Sequence, residues 1–335
     1  MNLATLDAKK EALDRLRPLP AEAARSLEAW FRVELTYTSN AIEGNTLSRR
    51  ETAVVLEKGL TVGGKSLKEH LEATNHAHAV DFVHQLAVAK SPRRVTETDI
   101  LRLHELVLNG IDEANAGRYR RVAVRIAGST VVLPNPRKVP DLMTGFTRWL
   151  RSRPELHAVT FAGEAHYRLV TIHPFSDGNG RTARLLMNLL LMMEGYPPAI
   201  IRPRDRVAYL GALETAQLGG SKAAFDSLIA RAVNRSLDIF LDAAGAGRSE
   251  QTAAEPDSHL LKSRLLKIGQ LAKAVGATVP TIRHWTNLGL LEVAQKTPAG
   301  YQLYSEAAID RCRRIESLKG RRLTLEEIRT ELDAS

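Results

Sequence analysis

The sequence HPFSDGNGRTAR, residues 173–184, lies between two segments that have helical periodicity. Before it, residues 163–172 have apolar side chains at three- and four-residue spacing. After it, an apolar stripe continues at Leu185, Leu186, Leu189, Leu190 and Met193. The glycines within the stretch indicate a turn between two helices. Because the second helix begins at this turn, its free backbone N–H groups and the positive end of its dipole meet at one point. We therefore expect a phosphate-binding site there.

The side chains of this stretch supply a base and an oxygen ligand. His173 follows the first helix and is the side chain here that can act as a base near neutral pH. Asp177 offers a hard oxygen ligand, which suits Mg²⁺ bound to a polyphosphate.

The rest of the stretch is suited to hold an anion. Gly178 and Gly180 allow positive φ and a close approach of phosphate oxygens to the backbone. Asn179 can donate from its amide, and Arg181 and Arg184 lie three residues apart on one helical face. The whole set predicts phosphate transfer by positioning and electrostatics, without a covalent protein nucleophile. An incidental glycine turn among charged residues would explain any two of these residues, but not all of them at this spacing.

The stretch resembles the signature of the Fic family, H-P-F-x-D/E-G-N-G-R-x-x-R, at every specified position. The resemblance implies that His173 deprotonates a hydroxyl of a target protein, which attacks the α-phosphate of ATP and releases pyrophosphate. It also implies that Asp177 holds Mg²⁺. The backbone around residues 178–180 would form the anion hole, Arg181 would hold the β-phosphate and Arg184 the γ-phosphate. The Doc branch, which transfers a phosphoryl group, has lysine where this chain has Gly180, so nucleotidyl transfer is favoured. Phe175 is expected to be a core anchor.

A second segment resembles the inhibitory motif S/T-x-x-x-E-G/N of many Fic proteins. Ser39 and Glu43 are four residues apart, and Gly44 follows at the end of a helical pattern that begins near Ala21. The resemblance implies that Glu43 reaches Arg184 and occupies the place of the γ-phosphate. A solvated glutamate before a helix-ending glycine is the alternative. We favour inhibition because the catalytic stretch accompanies the motif.

Composition sets broad limits. The chain has 335 residues, a formal net charge of +9 and one cysteine, Cys312. That length accommodates two domains, and the basic charge suits an acidic partner such as nucleic acid. A single cysteine excludes an intrachain disulfide and a cysteine-rich zinc site. We find neither a membrane-length apolar run nor the pattern of a signal peptide, so we expect a cytoplasmic protein.

Two weaker patterns are set aside. Residues 59–66 satisfy the phosphate-loop pattern G-x-x-x-x-G-K-S, but a charged amphipathic helix precedes them instead of a buried strand. We expect Gly59 to end that helix and Ser66 to cap the next one. The histidines that follow lack metal-ligand spacing and are expected to pack or to face solvent: His70, His76 and His78.

Alternating apolar residues predict a β-hairpin in the middle of the chain. Val122, Val124 and Ile126 alternate before a turn at residues 127–129, and residues 131–133 return. In Fic proteins the corresponding hairpin is a flap that aligns a target segment by strand addition. A simple two-stranded brace is the alternative.

The C-terminal segment predicts a helix-turn-helix. A short helix ends at Gly276, and a second begins after Thr278 with a proline in its first turn. The order I-G-x-L-A, T-I-R-x-W, L-G-L-L and G-Y-x-L-Y-S resembles the DNA-binding domain of the MerR family. The resemblance implies DNA contacts from Thr281, Arg283 and His284 and a two-stranded wing, followed by two arginine-rich helices at residues 307–318 and 324–332. Backbone-phosphate contacts are expected from Arg313, Arg314, Arg321 and Arg322.

Two departures from the MerR pattern affect how DNA is read. Gln302 replaces the usual arginine of the wing, so one phosphate contact is lost. The chain ends without the long coiled-coil helix that pairs MerR subunits. A homodimer formed by the Fic domain, or adjacent DNA sites, would then be needed to read a two-half operator.

We therefore expect a mainly α protein with a helical Fic fold, a β-hairpin flap and a small winged helix-turn-helix domain. The expected regions are an inhibitory N-terminal helical region at 1–90, a catalytic core at 91–242, a linker at 243–260 and a DNA-binding domain at 261–335. The predicted function is autoinhibited transfer of AMP from ATP, with Mg²⁺, to a serine, threonine or tyrosine of a target protein. Two alternatives remain: a DNA-binding regulator whose Fic domain senses nucleotide, and an enzyme that removes AMP.

Overall fold

Local signals set many of the helix boundaries. Three helices begin at capping boxes formed by Ser48 with Glu51, Ser66 with Glu69, and Thr96 with Asp99. In each box the N-cap hydroxyl accepts a backbone N–H and the carboxylate accepts another, so two otherwise unpaired donors are satisfied. Gly59 ends the helix before residues 59–66 in the left-handed conformation. The expected loop and cap roles in this segment are therefore confirmed, and Lys65 donates to the Thr46 carbonyl oxygen at 2.7 Å.

The computed structural model describes residues 3–89, 94–245, 266–296, 302–305 and 307–320. The chain divides into two compact units, residues 1–253 and 254–335. The predicted linker and the second C-terminal helix, with Arg321 and Arg322, lie largely or wholly outside the described residues.

The first unit is helical. Its α-helices are α1 (Leu3–Arg15), α2 (Ala21–Ile42), α3 (Arg49–Lys58), α4 (Leu67–Val88), α5 (Glu97–Leu108), α6 (Val139–Ser152), α7 (Ala158–Ile172), α8 (Asn179–Met193), α9 (Arg206–Gln217) and α10 (Ala223–Ala243). Short 3₁₀ turns at Pro136–Lys138 and Pro203–Asp205 precede α6 and α9.

Helix α8 forms the centre of this unit. Twelve of its fifteen residues are buried, and it packs against α2, α4, α5 and α7. The four leucines of the stripe that follows the glycine turn lie inside the core, and Met193 is partly buried against it. Burial on this scale stabilises the fold, because each large aliphatic side chain that is removed from water contributes about 1.5–3 kcal/mol to the free energy of folding. The position of the turn before α8 is therefore set by the best-packed helix of the unit.

The second unit contains the predicted helix-turn-helix. Helix α11 (Ile268–Val275) ends at Gly276 in the left-handed conformation, and α12 (Val279–Asn287) is capped by Thr278. Helix α13 (Ala307–Gly320) follows. Strands β1 (Leu266–Lys267), β2 (Gln295–Lys296) and β3 (Gln302–Tyr304) form an antiparallel sheet in the order β1–β3–β2. The pairing of β2 with β3 is the predicted wing. Trp285 and Cys312 lie in the core of this unit.

The central hairpin differs from the sequence expectation. Between α5 and α6, all of which is described, residues 121–135 form no β-strand. The chain still turns at Gly128, where the Ser129 N–H donates to the Ile126 carbonyl oxygen at 3.1 Å. The flap therefore has the course of a hairpin, but the ladder that the apolar alternation predicted is absent. Within the described residues, no helix has both the length and the apolar character of a membrane span.

Candidate active site

The turn between α7 and α8 is closed by its own side chains. His173 ends α7 in the left-handed conformation, with φ 50°, and Gly178 precedes α8 with φ 74°. The Asn179 side chain spans the turn: its Oδ1 accepts the Phe175 N–H at 3.0 Å and its Nδ2 donates to the Phe175 carbonyl oxygen at 2.8 Å. The first backbone N–H groups of α8 then lack an acceptor within the helix.

This arrangement gives Asn179 a structural role. The sequence suggested that its side-chain amide can donate to phosphate; in the buried residue, Oδ1 and one Nδ2 hydrogen are bonded to Phe175, which leaves the second Nδ2 hydrogen for a further acceptor. Asn179 therefore holds the shape of the turn. The backbone of residues 178–180 can also approach an anion.

His104 on α5 packs against the turn, although no sequence motif identified it. Its ring stacks on Phe175 with centroids 3.6 Å apart. Its Nδ1 accepts the Gly117 N–H at 3.0 Å, so Nε2 carries the proton and donates to the Asp177 carbonyl oxygen at 3.0 Å. Burial lowers the pKa of His104 to about 4, so the ring is neutral at neutral pH. A side chain at Gly178 would press against this ring, which explains why glycine suits the position.

His173 has the environment of a base. Its Nδ1 donates towards the Val170 carbonyl oxygen at 3.4 Å, which leaves Nε2 as the unprotonated nitrogen. Burial lowers the pKa of His173 below its ordinary value of 6.5. The imidazole is therefore neutral at neutral pH. It lines a cleft of about 790 Å³ together with Gly180, Arg184 and the turn of the flap.

Arg184 is paired with the acidic motif of α2. Its Nη2 donates to Glu43 Oε1 at 2.7 Å and to the Ser39 carbonyl oxygen at 3.0 Å, and its Nε donates to Ser39 Oγ at 2.9 Å. The guanidinium is almost fully buried. Glu43 also lies against Gly180, where the atom nearest to an added Cβ would be Glu43 Oε1. The structure thus brings Ser39, Glu43, Gly180 and Arg184 together.

Tyr209 completes the surroundings of Arg184. The Tyr209 hydroxyl lies 2.8 Å from His166 Nε2 and 3.5 Å from Arg184 Nη1. Burial lowers the pKa of His166 to about 3, so the ring is neutral and its Nε2 can accept a hydrogen bond from the Tyr209 hydroxyl. Tyr209 is itself buried. We infer that Tyr209 orients the guanidinium by hydrogen bonding.

Arg181 and Asp177 form a looser group at the mouth of the turn. The Arg181 guanidinium is buried, 3.3 Å from Glu72 Oε1 and 3.4 Å from Asp177 Oδ2. Among the described residues, its Nε has no hydrogen-bond partner. Asp177 Oδ1 accepts the Gly178 N–H at 2.6 Å, while the carboxylate is 58% exposed. Both side chains can therefore still take a ligand.

Arg120 links His173 to the flap by hydrogen bonds, and no sequence motif identified this residue either. Its Nε donates to the His173 carbonyl oxygen at 2.7 Å, and its Nη1 and Nη2 donate to the carbonyl oxygens of Val122 at 3.2 Å and Pro134 at 2.6 Å. At the flap tip, Glu214 Oε1 accepts from Ser129 Oγ at 2.7 Å and from the Thr130 N–H at 3.1 Å.

The three DNA-contact candidates lie together on α12 but differ in surroundings. Arg283 and His284 are exposed. Thr281 is half-buried, and its hydroxyl lies 2.8 Å from the hydroxyl of the capping residue Thr278. Within the described residues, no group of three or more histidine, cysteine, aspartate or glutamate side chains could hold a metal ion.

The helical unit around a glycine turn, with His173 beside it, defines the class of protein. Residues 94–191 match the Fic/DOC family model, and residues 266–335 match the model described as MerR HTH family regulatory protein. A solved structure of Fic-1 (aa134–508) from C. elegans is 33% identical, with a TM-score of 0.65, and the match covers 72% of each chain. The chain belongs to the Fic family.

Two further relatives extend this result. A Fic domain containing signaling protein from Bacteroides thetaiotaomicron is 31% identical, with a TM-score of 0.67, over 73% of this chain and 98% of that one. The curated Protein adenylyltransferase Fic of Nematostella vectensis is 41% identical over 242 residues, which are 70% of this chain and 55% of that protein. The corresponding protein of Culex quinquefasciatus is 39% identical over 70% of this chain and 47% of its own length. The chain thus spans about half the length of these curated relatives.

Proposed function

We propose that this protein is an autoinhibited protein adenylyltransferase that transfers AMP from ATP to a hydroxyl side chain of a target protein. The ion pair between Glu43 and Arg184 carries the proposal, because it joins the inhibitory motif to the predicted γ-phosphate ligand. The names of the curated relatives support the same reaction.

The reaction follows from the chemistry of the turn. His173 Nε2 takes the proton of the target hydroxyl, and the hydroxyl oxygen forms a bond with the α-phosphorus of ATP. The bond between the α-phosphorus and the bridging oxygen of the β-phosphate breaks, and pyrophosphate leaves. The backbone N–H groups at the start of α8 and the Arg181 guanidinium lie where they can hold phosphate oxygens.

Mg²⁺ fits the residues present as a partner of the substrate. Asp177 offers one carboxylate that is 58% exposed, which matches the mode in which Mg²⁺ binds one or two carboxylates plus phosphate oxygens. When bound, the ion neutralises phosphate charge. The same carboxylate lies 3.4 Å from the Arg181 guanidinium.

Glu43 would inhibit by occupying the place that the γ-phosphate needs. A carboxylate on Arg184 satisfies the guanidinium, so ATP loses a charge-assisted contact worth about 1.5–3 kcal/mol. The Glu43 carboxylate also lies next to Gly180, so its negative charge would repel a triphosphate bound at the turn. Removal of the Glu43 side chain should free both positions.

Incubation with ATP labelled at the α-phosphate tests this proposal. We expect Glu43→Gly to raise transfer of label to protein by at least about tenfold, since each 1.4 kcal/mol corresponds to a factor of ten. His173→Ala in the Glu43→Gly background should abolish it. Ala41→Gly, which adds a glycine to the same end of α2 and keeps Glu43, is the matched control and should resemble the wild-type chain. Equal labelling by wild type and Glu43→Gly would refute autoinhibition.

The helix-turn-helix supports a second candidate function, a DNA-binding regulator whose Fic domain only senses nucleotide. Arg283 and His284 are exposed on α12 and support DNA binding by this unit. Nucleotide binding without transfer of label by any variant would favour the sensor.

Loss of AMP from a modified target on addition of wild-type chain would instead favour removal of AMP.

A further inference from the structure

A second cleft of about 1020 Å³ lies in the first unit and is rich in arginine. Four arginines and two aromatic residues line most of it, from α2, the start of α3, the 3₁₀ turn before α9, and α10: Arg49, Arg202, Arg204, Arg235, Trp30 and Tyr37. We call it the arginine cleft. None of its lining residues lines the cleft that contains His173.

The positive charge of the arginine cleft is only partly balanced. The buried carboxylate of Glu34 pairs with Arg49 at 2.5 Å, and Asp205 lies 3.8 Å from Arg235. Four guanidiniums thus meet two carboxylates, one of them at the outer limit of an ion pair. Burial and then Coulomb repulsion from Arg202 lower the pKa of Arg235. An added anion would relieve this repulsion.

The shape and chemistry of the cleft favour a small ligand. Guanidinium groups are planar forks that hold phosphate oxygens through paired, charge-assisted hydrogen bonds. Trp30 is 41% exposed and offers a flat apolar face at the edge of the cleft. The concave space suits a compact ligand better than the convex backbone of a nucleic-acid duplex. We propose that the arginine cleft binds a small molecule with a di- or triphosphate group.

Trp30 provides a local reporter of this site. The chain has three tryptophans, Trp30, Trp149 and Trp285, so Trp149→Phe with Trp285→Phe leaves only the one in the cleft. Pyrophosphate is titrated into this full-length variant at constant ionic strength, and the emission of Trp30 is recorded. We expect a saturable change, with potassium chloride as the ionic control.

Charge variants in the reporter background assign the signal. Arg202→Ser and Arg204→Ser should each weaken pyrophosphate binding by about tenfold or more, because each removes a charge-assisted contact. Arg204 is exposed, so its replacement does not threaten the fold. Arg148→Ser removes an exposed arginine from α6 and should leave binding unchanged.

A variant of the catalytic turn separates the two phosphate sites. Arg181→Ser should leave the response of Trp30 intact, because Arg181 does not line the arginine cleft and its contacts are with Glu72 of α4 and Asp177 of the turn. The proposal fails if Trp30 gives no saturable response, if Arg202→Ser and Arg204→Ser bind as tightly as the parent, or if Arg181→Ser abolishes the signal. Displacement of pyrophosphate from the cleft by duplex DNA would assign it to nucleic acid and would also overturn the proposal. Each outcome is independent of whether the chain transfers AMP.

Discussion

His173 combines a left-handed backbone conformation with a buried ring, and both follow from its place at the end of α7. Left-handed φ is uncommon for a residue with a side chain, and it persists only where surrounding contacts hold it. Two of these contacts are known: the His173 N–H donates to the Leu169 carbonyl oxygen, and the His173 carbonyl oxygen accepts from Arg120. The ring is thereby fixed beside the turn while burial keeps it neutral.

The pH dependence of transfer should report the lowered pKa of His173. Burial lowers this pKa, so the base form persists below the ordinary value of 6.5 and is lost only as pH falls through the lowered pKa. In the Glu43→Gly variant, kcat/KM should be level through neutral pH and fall on the acid side, with a midpoint below 6.5. A midpoint above that value would contradict the role of burial.

Replacement of Arg120 should weaken both the fold and the site. The residue is 2% exposed and its guanidinium bonds three backbone carbonyl oxygens. Arg120→Met would leave these acceptors unsatisfied, and the free energy of unfolding should fall by about 1–3 kcal/mol. Chemical denaturation measures the loss, and Arg118→Met, at an exposed neighbouring position, is the control. We expect Arg120→Lys to recover only part of the stability, because ammonium cannot reproduce the planar fork. Equal stability of Arg120→Met and wild type would contradict the role of Arg120.

At the scale of the elements, sequence periodicity predicted the helices that surround the site. The turn between α7 and α8 and the caps at Ser66 and Thr278 are encoded locally, and each appears as expected. Phe175 is the predicted core anchor. Contacts of this kind involve residues a few positions apart, so a pattern along the chain can identify them.

The flap turns as predicted, but its two strands do not pair, because its backbone groups are bonded to distant side chains. The carbonyl oxygens of Val122 and Pro134 accept from Arg120, and the Thr130 N–H donates to Glu214. The apolar alternation does not correspond to a buried face either, since Val122 is 63% exposed. The alternation therefore does not correspond to a β-sheet. The backbone groups of the flap bond to Arg120 and Glu214 instead of to a neighbouring strand, and a local sequence pattern does not reveal such partners.

The missed site residues show the same limit. His104 follows Ile100 and Leu103 and precedes Val107 on α5, so periodicity would have predicted that it faces inwards. Its contacts with Gly117 and Asp177 are separated by 13 and 73 positions, and no local pattern reveals them. The sequence motif identified the groups that we propose to contact phosphate, but not the residues that hold those groups in place.

At the scale of the whole molecule, buried neutral histidines should make the first unit sensitive to acid. Burial lowers the pKa to about 3 for His76, about 4 for His104 and about 3 for His166. In the unfolded chain these rings take up protons below about 6.5, whereas in the folded unit they do not. Their contribution to stability is thus fully present above 6.5 and declines as pH falls towards the folded values.

Each of these histidines should cost about 1.4 kcal/mol of stability per pH unit within that window. Chemical denaturation of the full chain at a series of pH values measures the slope. The control His78→Gln, at an exposed position of α4, should keep the slope, and His104→Asn should reduce it. A free energy of unfolding that stays constant from neutral pH to about pH 5 would contradict the neutral state of the three rings.

We expect DNA binding to belong to the second unit, although the whole chain is basic. A net charge of +9 predicts some non-specific attraction to DNA, so binding alone does not identify the surface that causes it. Deletion of all residues after Leu261 removes α11 to α13 and the wing and should abolish specific binding. In the full chain, affinity should fall linearly with salt on logarithmic axes.

Point variants of this unit then separate base contacts from phosphate contacts. Arg283→Ala, on the exposed face of α12, should cost about 1–3 kcal/mol and relax sequence preference. Arg313→Ala, on α13, should weaken binding to all sequences and lower the salt slope by about one. Arg313 is 66% exposed, and its ion pair with Asp310, at 3.5 Å, is solvent-exposed and therefore weak. Its replacement should not unfold the unit. If the truncated chain bound DNA as tightly and as selectively as the full chain, the helix-turn-helix could not be the reader, and the basic surface of the first unit would account for the binding.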